Sequence, residues 1–521
     1  MPAKLIIETV NTQIVGEFPL KAIDDILSYD IPGAFMAPLY RLCPKKGCFR
    51  EGTKSKINPF NGKCVVCKTP RAWDGKKRFL LGGKTKPHYF PTGCFNEVMS
   101  VLKAKGVAYE IQDHRVRPNI VDPTLARSVA LLDPNDTSKQ RIPYEHQIEA
   151  IEAALRATRG LVIVPTRGGK TTIIASIMKL TDLPSCVFIN NVTVGKQLQK
   201  EIGAMLGQEV GFVGDGEFNP QKFTVCMTQT IINGLSLGEK QKKEGTPPVL
   251  KIVELVKQTQ MMLHDEVHHI GDNQWFEMTK AFVNAFYRFG FSGTMNMRSD
   301  GDDLLTQAAT GKIIYEIKEQ TLIDKGIIAS VIVHFYTIDQ PDDLVDCDYK
   351  TAYDKGVVNN TKLNKIIASL TANLAEKYKI LVLLERQEHF ENIEKQFEVE
   401  EFDDYAMLTG KDKQEIRLNT IKDFTNGELS TILASKILDE GVTMPSIDVV
   451  IRGGCMKTNI KSKQQVGRGQ GAKQGKKNEM HVIDFLINTN KYLANHSKER
   501  FDLYHGLGYK ILFEKDILTE L

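Results

Sequence analysis

The chain reads as an α/β protein: two tandem units built on parallel sheets, behind a small α+β domain with a cysteine-bearing insert. Three observations predict this. From Tyr144 to about Leu322, helical and strand-like runs alternate: EHQIEAIEAAL, GLVIVP, TIIASIMKL, SCVFINN, GKQLQKEIGAML, KFTVCMT. The rhythm restarts after VIVHFYTI with TKLNKIIASLTANLAEK, KILVLLE, EHFENIEKQF, YAMLTG, STILASK, IDVVIRG and MHVIDFL. Strands that alternate with helices are joined by crossovers, which gives parallel sheets covered on both faces. Ahead of both units, short strand-like runs (KLIIETV, RFLLGG) mix with one helical pattern, FNEVMSVLKAKG.

The expected domains are therefore 1–125, with the insert at about 41–70, then 126–325 and 326–521. At 521 residues the chain is too long for one core. The polar stretch LDPNDTSKQRIP reads as a linker, and KERFDLYHGLGYKILFE as a helix and strand closing the second unit. Hydrophobic content of 42% and charged content of 25% fit an ordinary globular protein. No apolar run approaches the ~20 residues that span a bilayer, and the N-terminus lacks a signal-peptide pattern. A cytosolic protein with reduced thiols and no membrane partner is expected. No coiled-coil pattern is present, so a monomer is the default.

The net charge of +4 says little, but its distribution says more. Between Arg41 and Lys86 stand fourteen Lys/Arg and two acids, Glu51 and Asp74. That density suggests phosphate contact rather than a merely solvated face.

A candidate phosphate loop follows the run GLVIVP. Pro165, Thr166, Arg167, Gly168, Gly169, Lys170, Thr171 and Thr172 connect a strand to a helix starting near Lys170. Glycines let successive amides face one point, and a helix N-terminus adds positive potential there. Lys170 would reach the β- and γ-phosphates of ATP, and the Thr171 hydroxyl would help hold Mg²⁺. The strict G-x-x-x-x-G-K-[ST] pattern fails, because its first glycine falls on Val164. Arg167 replaces a small residue, and its side chain is expected to point outward.

A second motif supports the first. In TQMMLHDEVHH, Asp265 and Glu266 end an apolar strand: one acid can hold Mg²⁺ through water while its neighbour polarises the attacking water. His264 and His268 lie four apart, yet the H-E-x-x-H order of a zinc protease is absent. His264 and His269 are expected to be packed or exposed. The pair of motifs implies an NTPase.

The insert holds Cys43, Cys48, Cys64 and Cys67 in the pattern C-x₄-C-x₁₅-C-x₂-C. Four thiolates in paired knuckles satisfy tetrahedral Zn²⁺, which replaces a core that so short a loop cannot build. Cys94, Cys186, Cys226, Cys347 and Cys455 stand singly and read as packing residues.

With GGKTT and Asp265-Glu266-Val267-His268 in place, the motif order resembles superfamily 2 helicases of the DExH type, and most nearly the UvsW-type recombination helicases of phages. The resemblance runs over nearly the whole chain. It implies two RecA-like domains, and a catalytic role for His268 beside Asp265 and Glu266. RIPYEHQIEAI resembles the adenine-reading motif, placing Tyr144 and Gln147 near the base. DNA contacts are implied for Asn191 in FINNVTVGKQLQ and for Thr228, Gln229 and Thr230 in VCMTQTI. FGFSGTM resembles the coupling motif, carried by Ser292, Gly293 and Thr294. In the second unit, Thr409, Gly410 and Lys411 of LTGK would grip DNA, and Glu440 and Gly441 would sense nucleotide.

KQQVGRGQG resembles the arginine-finger motif, giving Gln464, Gly467 and Arg468. The family's last finger arginine falls on Gly471, with Lys473 or Lys476 as imperfect substitutes, so slow hydrolysis is one expectation.

WDGKKRFLLGG and FMAPLYR resemble the N-terminal DNA-recognition domain of the phage enzymes. Lys45, Lys46, Lys54, Lys56, Arg71, Lys76, Lys77 and Arg78 are then candidate phosphate contacts, while Trp73 is expected to pack in a turn. The resemblance implies an ATP-dependent helicase or translocase that remodels branched DNA in phage recombination, repair and replication. It would act in the host cytoplasm, with replication or recombination proteins as possible partners. An RNA-directed ATPase and a nucleic-acid-binding scaffold with weak ATPase are the alternatives.

Overall fold

The computed structural model describes the whole chain except residues 1–2, 32–33, 51–52, 59–61, 72, 84–85, 135, 242–246, 268–272, 294–301, 339–343, 410–411, 436–446, 456–477, 489 and 515–521. The described residues divide into two compact units, 1–163 with 171–316, and 164–170 with 317–521.

The first unit opens with strands β1 (Lys4–Ile7), β2 (Asn11–Val15), β3 (Leu81–Gly83), β4 (Lys86–Pro91) and β5 (Glu110–Asp113). They form one sheet in the order β3-β4-β2-β1-β5, antiparallel except for β1 with β5. Alternate residues of β1 and β2 turn inward: Leu5, Ile7, Thr12 and Ile14 are buried, as a one-sided sheet requires. Helix Phe95–Ala104 covers that face with Val98 and Leu102, one helical turn apart.

A second sheet follows: β6 (Arg159–Ile163), β7 (Ser185–Ile189), β8 (Gly211–Gly214), β9 (Glu217–Asn219), β10 (Phe223–Met227), β11 (Met261–His264), β12 (Tyr287–Ser292) and β13 (Ile313–Glu316). Its order is β9-β8-β10-β7-β11-β12-β6-β13, parallel throughout except at the edge pair β8–β9. Every residue of β7, β10, β11 and β12 is buried, because helices lie on both faces.

The two sheets share one core. Leu5, Ile14, Phe79 and Phe90 belong to the same apolar cluster as Phe188, Trp275 and Phe276. The Phe79 ring meets Phe276 edge-on at 5.6 Å. At Gly93 a Cβ would lie 2.1 Å from the Gln307 carbonyl, so only glycine lets the N-terminal module close onto helix Asp302–Thr310. Arg159 Nη2 donates to the Thr9 carbonyl at 2.7 Å across the same junction.

The stretch read as a linker is instead a hairpin. Leu131–Asp133 pairs antiparallel with Asp136–Arg141, and Leu132 packs beside Gly207 at the end of helix Val192–Leu206. Its turn-forming Asp-Pro-Asn-Asp is a hairpin signal as much as a linker signal.

The second unit contains β14 (Ser330–Thr337), β15 (Ile380–Leu383), β16 (Tyr405–Leu408), β17 (Thr431–Ala434), β18 (Val449–Ile451), β19 (Glu479–Leu486) and β20 (Lys510–Glu514). The order is β16-β17-β15-β18-β19-β14-β20, and every pair is parallel. As expected, the last described residues supply a helix, Lys491–Gly506, and the edge strand β20.

Buried charge ties this unit together where β18 and β19 end. Asp484 and Arg500 are fully buried, and Arg500 Nε lies 2.9 and 3.1 Å from the two carboxylate oxygens. Arg452 Nη1 lies 3.6 Å from Asp484 Oδ2 and donates to Tyr504 Oη at 2.7 Å. Tyr504 Oη in turn donates to Asp484 Oδ2 at 2.9 Å, and Arg500 Nη1 to the Cys455 carbonyl at 2.8 Å. Among the described residues no helix is long and apolar enough to cross a membrane.

Candidate nucleotide site and basic insert

In an open parallel sheet, ligands collect beyond the carboxyl ends of the strands. The sequence motifs emerge there. Strand β6 leads into the loop at Val164, β7 into Asn191, β10 into Thr228, β11 into Asp265 and β12 into Gly293. The ends are in register: Ile163 pairs with Ser292, Ile189 with Met227, and Phe188 with His264. Segments as far apart in the chain as Val164 and Gly293 are thereby brought to one sheet edge.

The loop after β6 is curled. Gly168 N donates to the Pro165 carbonyl at 3.0 Å, and Gly169 has φ +86°. A Cβ on Gly168 would lie 2.5 Å from Val164 Cγ1, so this turn demands glycine. Helix Lys170–Thr181 begins directly after it, with Lys170 and Thr171 half-buried and Thr172 buried. Arg167, expected to point outward, is half-buried at a left-handed φ of +67°. That conformation costs a non-glycine residue about 1–2 kcal/mol.

Beyond β11, Glu266 also takes a left-handed φ of +49°, and its amide donates to Asp265 Oδ1 at 3.0 Å. The strained turn sets the two carboxylates at the strand end. His264 behaves as the packing residue expected. It stacks on Phe188 at 4.7 Å, meets Trp275 edge-on at 5.3 Å, and its Nδ1 lies 3.3 Å from Trp275 Nε1. Burial, aided by the Arg288 charge, pulls its pKa down to about 3, so the ring is neutral. His268 lies outside the described residues.

Tyr144 caps helix Glu145–Ala157 and is half exposed, its ring stacked at 6.1 Å on His146 with the Arg141 guanidinium 6.0 Å from the ring centroid. Gln147 Oε1 accepts from the Tyr144 amide at 3.0 Å, so this side chain helps to start the helix. Asn191 likewise caps helix Val192–Leu206 by accepting from Val194 N.

The three VCMTQTI positions separate. Thr228 is buried with its hydroxyl 3.2 Å from the Ile189 carbonyl, so it shapes the turn and offers no surface to DNA. Gln229 is exposed and Thr230 half-buried. Ser292 is buried. In the second unit, Thr409 N and Oγ1 both engage Asp412 Oδ2, at 2.5 and 3.0 Å. Thr294, Gly410, Lys411, Glu440, Gly441, Gln464, Arg468 and Gly471 lie outside the described residues.

The insert brings its four cysteines together, with all four sulfurs within 4.8 Å of one another. Cys43 and Cys67 sulfurs are 3.4 Å apart, and Cys48 and Cys64 sulfurs 3.7 Å. Tetrahedral Zn²⁺ with Zn–S of about 2.3 Å requires sulfurs about 3.8 Å apart, so the set fits. The Thr69 hydroxyl, 3.0 Å from Cys67 Sγ, holds that thiol down at about 6, and Val66 N donates to Cys64 Sγ at 3.4 Å. Both contacts favour thiolate ligands.

The basic residues sort by environment. Lys45, Lys46, Lys54 and Lys56 are exposed. Arg71 instead lies over the Tyr40 ring at 4.3 Å, Lys77 Nζ donates to Asn273 Oδ1 at 2.9 Å, and Lys76 is half-buried. Arg78 grips Asp74 through both Nη atoms and Asp24 through Nε, so a phosphate would have to displace two carboxylates. Trp73 closes the turn as expected, its Nε1 donating to the Lys76 carbonyl at 2.8 Å.

Residues 141–297 match the family model of the type III restriction enzyme res subunit, and residues 361–470 that of the helicase conserved C-terminal domain. The chain is a superfamily 2 helicase. As such it is an ATP-hydrolysing enzyme, and the family implies ATP and Mg²⁺. A similar curated protein is the DNA 3'-5' translocase XPB2 of Sulfurisphaera tokodaii, 23% identical over 366 residues, which cover 62% of this helicase and 77% of that protein. A fragment assigned to the HsdR subunit of a type I restriction enzyme from Vibrio vulnificus shares the fold, with TM-score 0.52 at 16% identity over 85% of this chain and 90% of that one. The crystal structure of T4 UvsW covers 99% of both chains at 18% identity, with TM-score 0.44.

Proposed function

We propose that this helicase is an ATP-driven DNA motor that remodels branched duplexes such as forks, D-loops and four-way junctions, in phage recombination, repair and replication. The observation that carries this reading is that strands β6, β10 and β11 of one parallel sheet run out at the same edge into the glycine loop, Gln229 and Asp265-Glu266, in a chain that also bears the lysine-covered cysteine insert. Lys170 and the loop amides hold the phosphates of ATP, Thr171 and Asp265 hold Mg²⁺, and Glu266 polarises the attacking water. Tyr144 offers a ring face to the base. Gln464 and Arg468 take the finger role, Glu440 and Gly441 the sensing role, as the family resemblance implies.

Cys43, Cys48, Cys64 and Cys67 hold Zn²⁺, and Lys45, Lys46, Lys54 and Lys56 contact phosphates of the duplex arms. Contacts of this kind carry no sequence information, which suits a motor that must move along any sequence.

The test is steady-state ATP hydrolysis and unwinding with fork, four-way junction, linear duplex, single-stranded DNA and RNA. Branched DNA is expected to stimulate most, and Lys170→Ala to lower the rate about 10²–10³-fold, as loss of a transition-state donor does. Stimulation by RNA instead makes this an RNA-directed ATPase. Tight ATP binding without turnover makes it a scaffold, the reading that Gly471 favours.

A further inference from the structure

Met36 and Leu39 are 60% and 64% exposed, on the consecutive short helices Ala34–Met36 and Pro38–Arg41. Two large apolar side chains three positions apart would ordinarily be found inside.

Their segment is nevertheless anchored. The Tyr40 ring lies beneath the Arg71 guanidinium, and a side chain at Gly75 would start 3.1 Å from both Ala34 Cβ and Tyr40 Cε2. Ile31 N donates to the Gly75 carbonyl at 2.9 Å. Ala34 and Tyr40 thus face the W-D-G turn, and Met36 and Leu39 face solvent.

Basic residues adjoin this segment. Arg41 follows it directly and is exposed, and its carbonyl accepts from Ile57 N at 2.6 Å, which brings up the hairpin carrying exposed Lys54 and Lys56. An apolar tip with a cationic rim suits a partner with anionic edges and apolar faces. Nucleic acid has both, in its phosphates and in the base faces exposed where a stack ends.

We propose that Met36 and Leu39 form a wedge that enters the base stack at the branch point of DNA and unstacks the first pair, while Arg41, Lys54 and Lys56 hold the backbone. The proposal rests on the DNA-motor reading above.

The test uses the full-length chain, a fork with 2-aminopurine at the branch, a second fork labelled ten or so pairs away, and the variant Met36→Ser/Leu39→Ser. Wild type is expected to raise fluorescence at the branch label only. The variant should lose that rise and unwind about tenfold more slowly or worse, since one unstacked step costs a few kcal/mol. Its DNA-stimulated ATPase should stay within about twofold. Met36→Leu, with Leu39 intact, should keep the rise.

No rise with wild type, as a protein-docking patch would give, or an equal rise with the double variant, overturns the wedge. Absent stimulation of wild-type ATPase by any DNA is a different result, and it overturns the motor reading itself.

Discussion

Acidification should weaken the first unit through His264, by an amount that the burial of its ring sets. The ring sits between Phe188 and Trp275 with Nδ1 facing Trp275 Nε1, and its pKa is held at about 3 against an ordinary 6.5. The folded state therefore resists a proton that the unfolded state accepts readily. Stability is complete above pH 6.5 and falls as pH drops from there toward 3. At pH 5 the loss is about 2 kcal/mol, from 1.5 pH units at about 1.36 kcal/mol each.

Urea unfolding followed by tryptophan fluorescence reads this directly, because Trp73 and Trp275 both lie in the first unit. His264→Phe keeps the ring stack but removes the Nδ1 that accepts from Trp275 Nε1. It should lower stability by about 1–3 kcal/mol at pH 7. More tellingly, its further loss between pH 7 and pH 5 should be smaller than that of wild type by about 2 kcal/mol. Equal losses in the two proteins would refute the assignment of a neutral, proton-resistant His264.

Two more expectations come from the buried charges and the cysteine insert. Asp484→Asn leaves Arg452 and Arg500 facing each other without their shared carboxylate, and should cost the second unit about 3–5 kcal/mol in denaturant unfolding. Arg452→Met keeps the Asp484–Arg500 pair and should cost clearly less; the reverse order would contradict this charge balance. Chelation or Cys64→Ser should release one zinc ion per chain and open the insert to trypsin at its exposed lysines, since among the described residues its buried cluster contains, apart from cysteine, only Ile57. A metal-free wild-type chain with a trypsin-resistant insert would rule out the zinc knuckle.

Much of this was legible in the chain. Strand–helix alternation announced both parallel sheets, since a buried parallel strand must be apolar on both faces and a crossover helix must follow it. The glycine loop and Asp265-Glu266 stood out in the sequence because phosphate and metal chemistry would restrict the residue types there, and the structure sets both after strands of one parallel sheet. The hairpin at Leu131–Arg141 was read as a linker because Asp, Pro, Asn and Ser mark any change of direction, whether or not strands flank it. Nothing in VCMTQTI told that Thr228 faces inward, and nothing in WDGKKR told that Arg78 is already claimed by Asp74 and by Asp24, fifty-four residues earlier.

Local composition by itself determined which segments become strands, which loop can cradle phosphate, and which four thiols can share a metal. Each follows from groups close together along the backbone. Only the tertiary structure decided that the N-terminal module and the first α/β sheet share a single core, closed at Gly93 against the Gln307 carbonyl. It also decided which lysines stay free for a polyanion and that Met36 and Leu39 face water. These depend on contacts between residues distant in the chain, which no periodicity or spacing encodes.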